Sequence, residues 1–149
     1  NVAATVGQSM TALTATRATD AQVDAVRSLM DSVGRTILID EDYFPVFQAL
    51  ASCSPAWYFQ IVDSFARAGL KYGLSKDSAV EIAAQAMAGA ATLLLAEREA
   101  GTIPAQLIDR VTSPGGTTIA GLLAAEEGGL STALVSAVDA SIHADSHLG

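Results

Sequence analysis

The stretch from Ala79 to Ala96 limits what this chain can fold into more than any other. Ser75 can cap a helix, and the helical pattern then continues through Glu99. On that helix Ile82, Ala86, Gly89, Ala90, Leu93 and Leu94 fall on one face. Ala83, Ala84, Met87, Ala91 and Leu95 occupy most of the rest. A helix that is apolar nearly all round must be covered on every side. The remaining helices are too few to do it, so the sequence predicts that a second copy supplies the cover, in an interlocked homodimer. The uncharged part, broken by Glu81 and Gln85, is too short to cross a bilayer, and no membrane partner is expected.

The first forty residues read differently. Met10 to Thr16 alternates and is rich in threonine, a short strand. Thr19-Asp20-Ala21-Gln22 has capping-box spacing, and Val23, Val26, Met30 and Val33 mark one helical face, with Gly34 placed as its stop. Arg35 to Ile39 is a second strand. A strand–helix–strand unit cannot bury both faces alone, so it reads as the tail of a larger α/β domain. Asp40-Glu41-Asp42 is the expected junction, and everything beyond it reads as helical. The pattern predicts helices over 43–51, 54–68 (Ser54 as cap, Pro55 at the first position, Gly69 as stop), 75–99, 105–110, 118–127 and 131–147.

Charge and composition exclude several functions. Acidic residues number 16 against 8 Lys and Arg, a net charge of −8, and the cations are scattered. Nucleic acid needs clustered cations, and so does an anionic membrane surface, so neither is expected as a partner. Half the residues are apolar but only 5% are aromatic. Alanine, leucine and glycine let helix axes approach closely. A single cysteine, Cys53, rules out an internal disulfide framework and suits a reducing cytoplasm. Asn1 stands first with no basic region and apolar run behind it, so a longer parent protein is expected.

Ser113-Pro114-Gly115-Gly116-Thr117-Thr118 runs directly into an apolar helix. The first N–H groups of a helix are unpaired and its start is partly positive. Glycines admit a ligand to the backbone and hydroxyls add donors, which suits a carboxylate or phosphate. The same residues also suit a plain turn with Thr117 as cap, and composition alone leaves both open. The stretch is not a P-loop, for it lacks the lysine and a preceding strand. Asp139, His143 and His147 share a helical face at metal-ligand spacing, but the last two sit in the terminal turns; no metal is expected. Cys53 precedes a predicted helix start, which can activate a thiol, though a small buried thiol fits as well. Asp63, Arg67 and Lys71 form an i, i+4, i+8 charge ladder, and Glu97-Arg98-Glu99 reads as a solvated helix end.

Taken in order, the motifs resemble pyrroline-5-carboxylate reductase, the NAD(P)H enzyme of the last step of proline biosynthesis. Val111 to Leu122 (V-T-S-P-G-G-T-T-I-A-G-L) resembles the family signature. Asn1 to Gly7 is similar to the segment usually written P-N-T-P-x-x-V-G, with Val2 and Ala3 where Thr-Pro is usual. Ser54-Pro55-Ala56-Trp57 resembles G-P-A-Y, Ala68-Gly69-Leu70 with Gly73-Leu74 resembles A-G-V…G-L, and Gln85 with Gly89-Ala90 resembles Q…G-A. Ser52-Cys53-Ser54 stands where the family has Gly-Ser-Gly.

The resemblance implies a mainly α fold. Residues 1–41 would be the end of a dinucleotide-binding Rossmann domain, and 42–149 a helical dimerisation and substrate-binding domain of the 6-phosphogluconate-dehydrogenase-like C-terminal type. It implies NADPH or NADH as cofactor, with its main site outside this chain because no G-x-G-x-x-G is present. Asn1 would face the nicotinamide. A cyclic imino acid would be the substrate, held through Ser113, Gly115, Gly116, Thr117 and Thr118, with Ser113 and Thr118 catalytic. The alternatives are a helical dimerisation module without turnover and a reductase of another imine or a keto acid.

Overall fold

The computed structural model describes residues 2–147. The expectation on Asn1 therefore lies outside the described residues. Two compact units are present: residues 1–55 with 136–149, and residues 56–135.

The first unit is built on two parallel strands, β1 (Ser9–Leu13) and β2 (Gly34–Leu38), joined by helix α1 (Asp20–Asp31). Register runs from Ser9 opposite Gly34 to Leu13 opposite Leu38. The capping box forms as expected: the Gln22 N–H donates to Thr19 Oγ1 and the Thr19 N–H to Gln22 Oε1 at 2.9 Å. Gly34 does not stop α1. The helix closes at Ser32, and Gly34 opens β2 against Ser9, where a Cβ would collide with the Ser9 backbone. After a 3₁₀ turn over Glu41–Tyr43 comes the short helix α2 (Phe44–Gln48). Gln48 Nε2 donates to Asp145 Oδ1 at 3.1 Å, tying α2 to the end of the last helix.

The expected break before Pro55 is absent. A π-helical turn over Ala49–Cys53 carries α2 directly into α3 (Ser54–Lys71). Ser54 has helical dihedrals, its N–H reaches the Ala49 carbonyl, and its buried hydroxyl donates to the Leu50 carbonyl at 2.6 Å. It is a residue of the helix interior, not a cap. Pro55 offers no N–H and crowds the carbonyl four residues back, and a widened turn is how a helix accommodates that.

In the second unit α3 runs past the predicted stop at Gly69 and ends on Gly73 at φ +94. The Leu74 N–H returns to the Gly69 carbonyl and the Gly73 N–H to the Leu70 carbonyl, both at 3.0 Å, a Schellman closure. Ser75 then caps α4 (Lys76–Glu97), accepting the Ser78 N–H at 3.1 Å. Gly69 abuts Ala79, so α3 and α4 approach closely. Next come α5 (Pro104–Val111), α6 (Thr117–Glu127) and α7 (Leu130–Asp145), whose last part belongs to the first unit.

Of α4's apolar residues only Ala79 is buried; Ile82 is 57% exposed and Leu93 42%. Phe65, Leu74, Ile82 and Met87 line an open apolar groove of about 410 Å³ between α3 and α4. By length and composition alone, Lys76–Ala100 is long and apolar enough to cross a membrane, contrary to the expectation from its uncharged part. The chain thus leaves its longest helix bare, as the all-round apolar pattern predicts.

Candidate functional site

The signature stretch is a turn feeding a helix. The Gly116 N–H donates to the Ser113 carbonyl at 2.9 Å, with Pro114 and Gly115 between them and Gly115 at φ +69. Proline followed by a positive-φ glycine is the pattern of a type II turn. Gly116 is extended (φ −75, ψ 165) and occupies the N-cap of α6, so Thr117 is the first helical residue and not the cap. No side chain caps this end. The first helical backbone bond runs from the Ala120 N–H to the Gly116 carbonyl, which leaves the Thr117, Thr118 and Ile119 N–H groups without helical acceptors. Thr117 and Thr118 are exposed beside them, as is Ser113.

Glycine at 116 is favoured by space and not by backbone conformation. A Cβ there would overlap Ser113 Oγ and lie 3.1 Å from the Ser113 carbonyl oxygen. The hydroxyl of Ser113 therefore stands over the N-cap glycine. Ser113, Gly115, Gly116, Thr117 and Thr118 are brought to one helix start whose donors and dipole can hold a small anion.

α5 carries this turn. Thr112 Oγ1 donates to the Ile108 carbonyl at 3.0 Å and closes α5 one residue before Ser113. Arg110, in the last turn of α5, donates to Glu97 Oε2 at 2.6 Å, and Thr102 Oγ1 reaches the same oxygen at 3.3 Å. Glu97 is thus not the solvated helix end expected from sequence. The hydrogen bond from Arg110 holds its carboxyl below the ordinary 4.5 against a smaller opposing effect of desolvation. Sequence missed the pair because its members lie thirteen positions apart across a glycine break.

The other candidates fare differently. Asp63 Oδ2 meets Arg67 at 2.7 Å, but its second oxygen meets Lys76 at 3.2 Å. Lys71 instead lies over the Tyr72 ring, 5.7 Å from its centroid. α3 ends at Lys71, and the chain reversal brings the start of α4 beside Asp63. The hydrogen bond from Lys76 is the chief reason the Asp63 carboxyl lies below its ordinary 3.8. Cys53 is a free, half-buried thiol inside the π-turn, with no helix start ahead of it to activate it. Beyond α7, His147 turns its Nδ1 onto the His143 carbonyl at 2.6 Å, and no metal-binding group of three side chains occurs among the described residues. Leu13 to Thr16 and Leu38 to Asp40 line a cavity of about 290 Å³ at the carboxyl ends of the two strands. Open α/β sheets bind ligands at that edge.

Residues 41–148 match a family model described as pyrroline-5-carboxylate reductase dimerisation. The chain belongs to the pyrroline-5-carboxylate reductase family. It is 40% identical over 118 residues to the pyrroline-5-carboxylate reductase of Treponema pallidum, covering 79% of this chain and 44% of that protein. The reductase of Thermus thermophilus is 36% identical over 151 residues, covering 100% and 56%. A solved reductase from Coxiella burnetii superposes with a TM-score of 0.92 at 30% identity, covering 100% of this chain and 55% of that one. The chain spans about half the length of the curated relatives it matches. The mainly helical fold behind a small parallel sheet is that of the family.

Proposed function

We propose that the chain is the substrate-binding and dimer-forming part of a pyrroline-5-carboxylate reductase, reducing 1-pyrroline-5-carboxylate to L-proline. The observation that carries this is the uncapped start of α6, with two hydroxyls and three helical N–H groups without acceptors, inside a chain of this family. The carboxylate of the imine docks on the N–H groups and hydroxyls of Thr117 and Thr118, against Gly116. Gly115 sets the turn, and Ser113 sits beside the ring nitrogen, where its hydroxyl guides the proton that the nitrogen gains. NADPH or NADH, when bound, supplies the hydride. The cavity at the carboxyl ends of β1 and β2 has room for one end of such a cofactor, but no glycine-rich loop for its pyrophosphate exists in the sequence. The protein's part is mainly positioning.

The proposed domain boundary lies near residue 41, a reading supported by the start of the family match there, while the compact units divide at residue 55. The bare α4 and the apolar groove beside it are covered by a second copy in a soluble, cytoplasmic homodimer. Oxidation of NADPH with pyrroline-5-carboxylate, measured on the full gene product, tests the activity. A folded, cofactor-bound dimer without turnover would favour a dimerisation module instead, for which Ser52 and Ser54 in place of the family's glycines give the motive. Within an active enzyme, Thr118→Ala should raise KM for the imine roughly tenfold or more, the worth of a hydrogen bond to a charged group. An unchanged KM would place the carboxylate elsewhere.

A further inference from the structure

α5 is only eight residues long, about 12 Å, too short to hold its own position or shape. Its start is set locally, by the Ile103 N–H on Gln106 Oε1 at 2.9 Å and by Pro104. What ties it to the rest of the unit by polar bonds is Glu97. One oxygen of that carboxylate accepts from Thr102, just before α5, and from Arg110, in its last turn. Both ends of the short helix are therefore referred to the end of α4, the longest helix of the chain. Three residues past Arg110, Ser113 begins the turn that places the α6 donors.

We infer that Glu97 is a positioning residue for the carboxylate-binding turn: through Arg110 and Thr102 it fixes α5, and α5 aims Ser113 and the start of α6. The inference rests on the assignment of that turn to the imine carboxylate. The pair is half exposed (side-chain exposures of 55% for Arg110 and 27% for Glu97), so its loss should leave the fold intact and loosen only what hangs on α5. Glu97 also occupies the Arg110 guanidinium, which would otherwise be a free cation close in sequence to an anion site.

The test is steady-state kinetics on the full enzyme with E97Q, R110Q and the exchanged pair E97R/R110E, beside Thr118→Ala. Calorimetric titration with L-proline, which carries the same carboxylate, gives a readout that needs no turnover. Positioning predicts that KM for the imine and Kd for proline rise about three- to tenfold in E97Q and R110Q. The values for NADPH and kcat should stay within about twofold, and the exchanged pair should restore the imine KM. Unchanged imine and proline values in E97Q, with a clear rise in Thr118→Ala, would overturn the positioning role and leave the site standing. Unchanged values in both would overturn site and role together. A fall in imine KM in E97Q would show Arg110 serving the substrate once freed, and a loss of Tm with kcat and both KM values would show a structural tie; each overturns the inference.

Discussion

Gly116→Ala separates sterics from backbone strain at the candidate site. The backbone there is extended, at φ −75 and ψ 165, which alanine adopts freely. The damage is a collision: the new methyl would overlap Ser113 Oγ and stand 3.1 Å from the Ser113 carbonyl oxygen. Ser113 can rotate its hydroxyl, at about 0.5–1.5 kcal/mol if it is forced off a staggered position. The carbonyl must also give by a few tenths of an ångström, which weakens the turn bond from the Gly116 N–H, itself worth about 0.5–1.5 kcal/mol. Together these give a loss near 1 kcal/mol, or about 2–4 °C in Tm for a chain of this size. Function should suffer more, since the hydroxyl that leaves is the one proposed to lie beside the ring nitrogen, and the imine KM should rise about tenfold. A double-mutant cycle with Ser113→Ala makes this decisive. Removing Oγ removes the chief collision, so Gly116→Ala should cost little further stability in the Ser113→Ala background. Gly115→Ala is the contrast: nothing lies within 4 Å of its would-be Cβ, but φ is +69, costing roughly 1–2 kcal/mol whatever occupies residue 113. Additive stabilities for the 113/116 pair, or coupling of the same size for 113/115, would refute the reasoning.

Ile82→Asp should break the dimer: each copy forfeits about 1.5–3 kcal/mol of apolar burial and must desolvate a carboxylate, so the dissociation constant rises about a hundredfold or more. Sedimentation showing an unchanged mass would mean that this face of α4 is not covered by a second copy. Acid should loosen the helical unit through Asp63 and Glu97. Both carboxyls lie below their ordinary values of 3.8 and 4.5, so their stabilisation is complete above those values and is lost as pH falls through the lowered folded-state ones. Urea midpoints followed from pH 6 to pH 3 should fall less steeply in Asp63→Asn and Glu97→Gln, and an unaltered slope would show that the pairs do not act on stability.

What was legible in the sequence was what is decided within a few residues. The Thr19 box, the Ser75 cap and the β-branched strand at 35–39 each state their structure locally, and the β–α–β unit followed. The chain failed to read where one pattern serves two structures. Ser54-Pro55 would open a helix if Ser54 were extended, yet it is helical here and binds backward to Leu50. A π-helical turn over Ala49–Cys53 carries α2 into α3 and absorbs the proline. That single difference removes the helix start that was to activate Cys53. At Asp63 the second partner is Lys76 and not the Lys71 of the ladder, because Lys71 lies two turns away along α3 while the chain reversal brings the start of α4 alongside. The site divides in the same way. Uncapped N–H groups beside two threonines would receive a carboxylate or a phosphate equally well, so geometry names a charge and not a molecule. The name comes from the order V-T-S-P-G-G-T-T-I-A-G-L, whereas the need for a partner comes from physics alone. Alanine, leucine and methionine on every side of α4 are local facts, and the remaining described helices leave most of them exposed. The helix that the described residues leave mostly exposed and the turn that no side chain caps are therefore two separate surfaces, and Ile82→Asp and Gly116→Ala should fail separately, the first in mass and the second in KM.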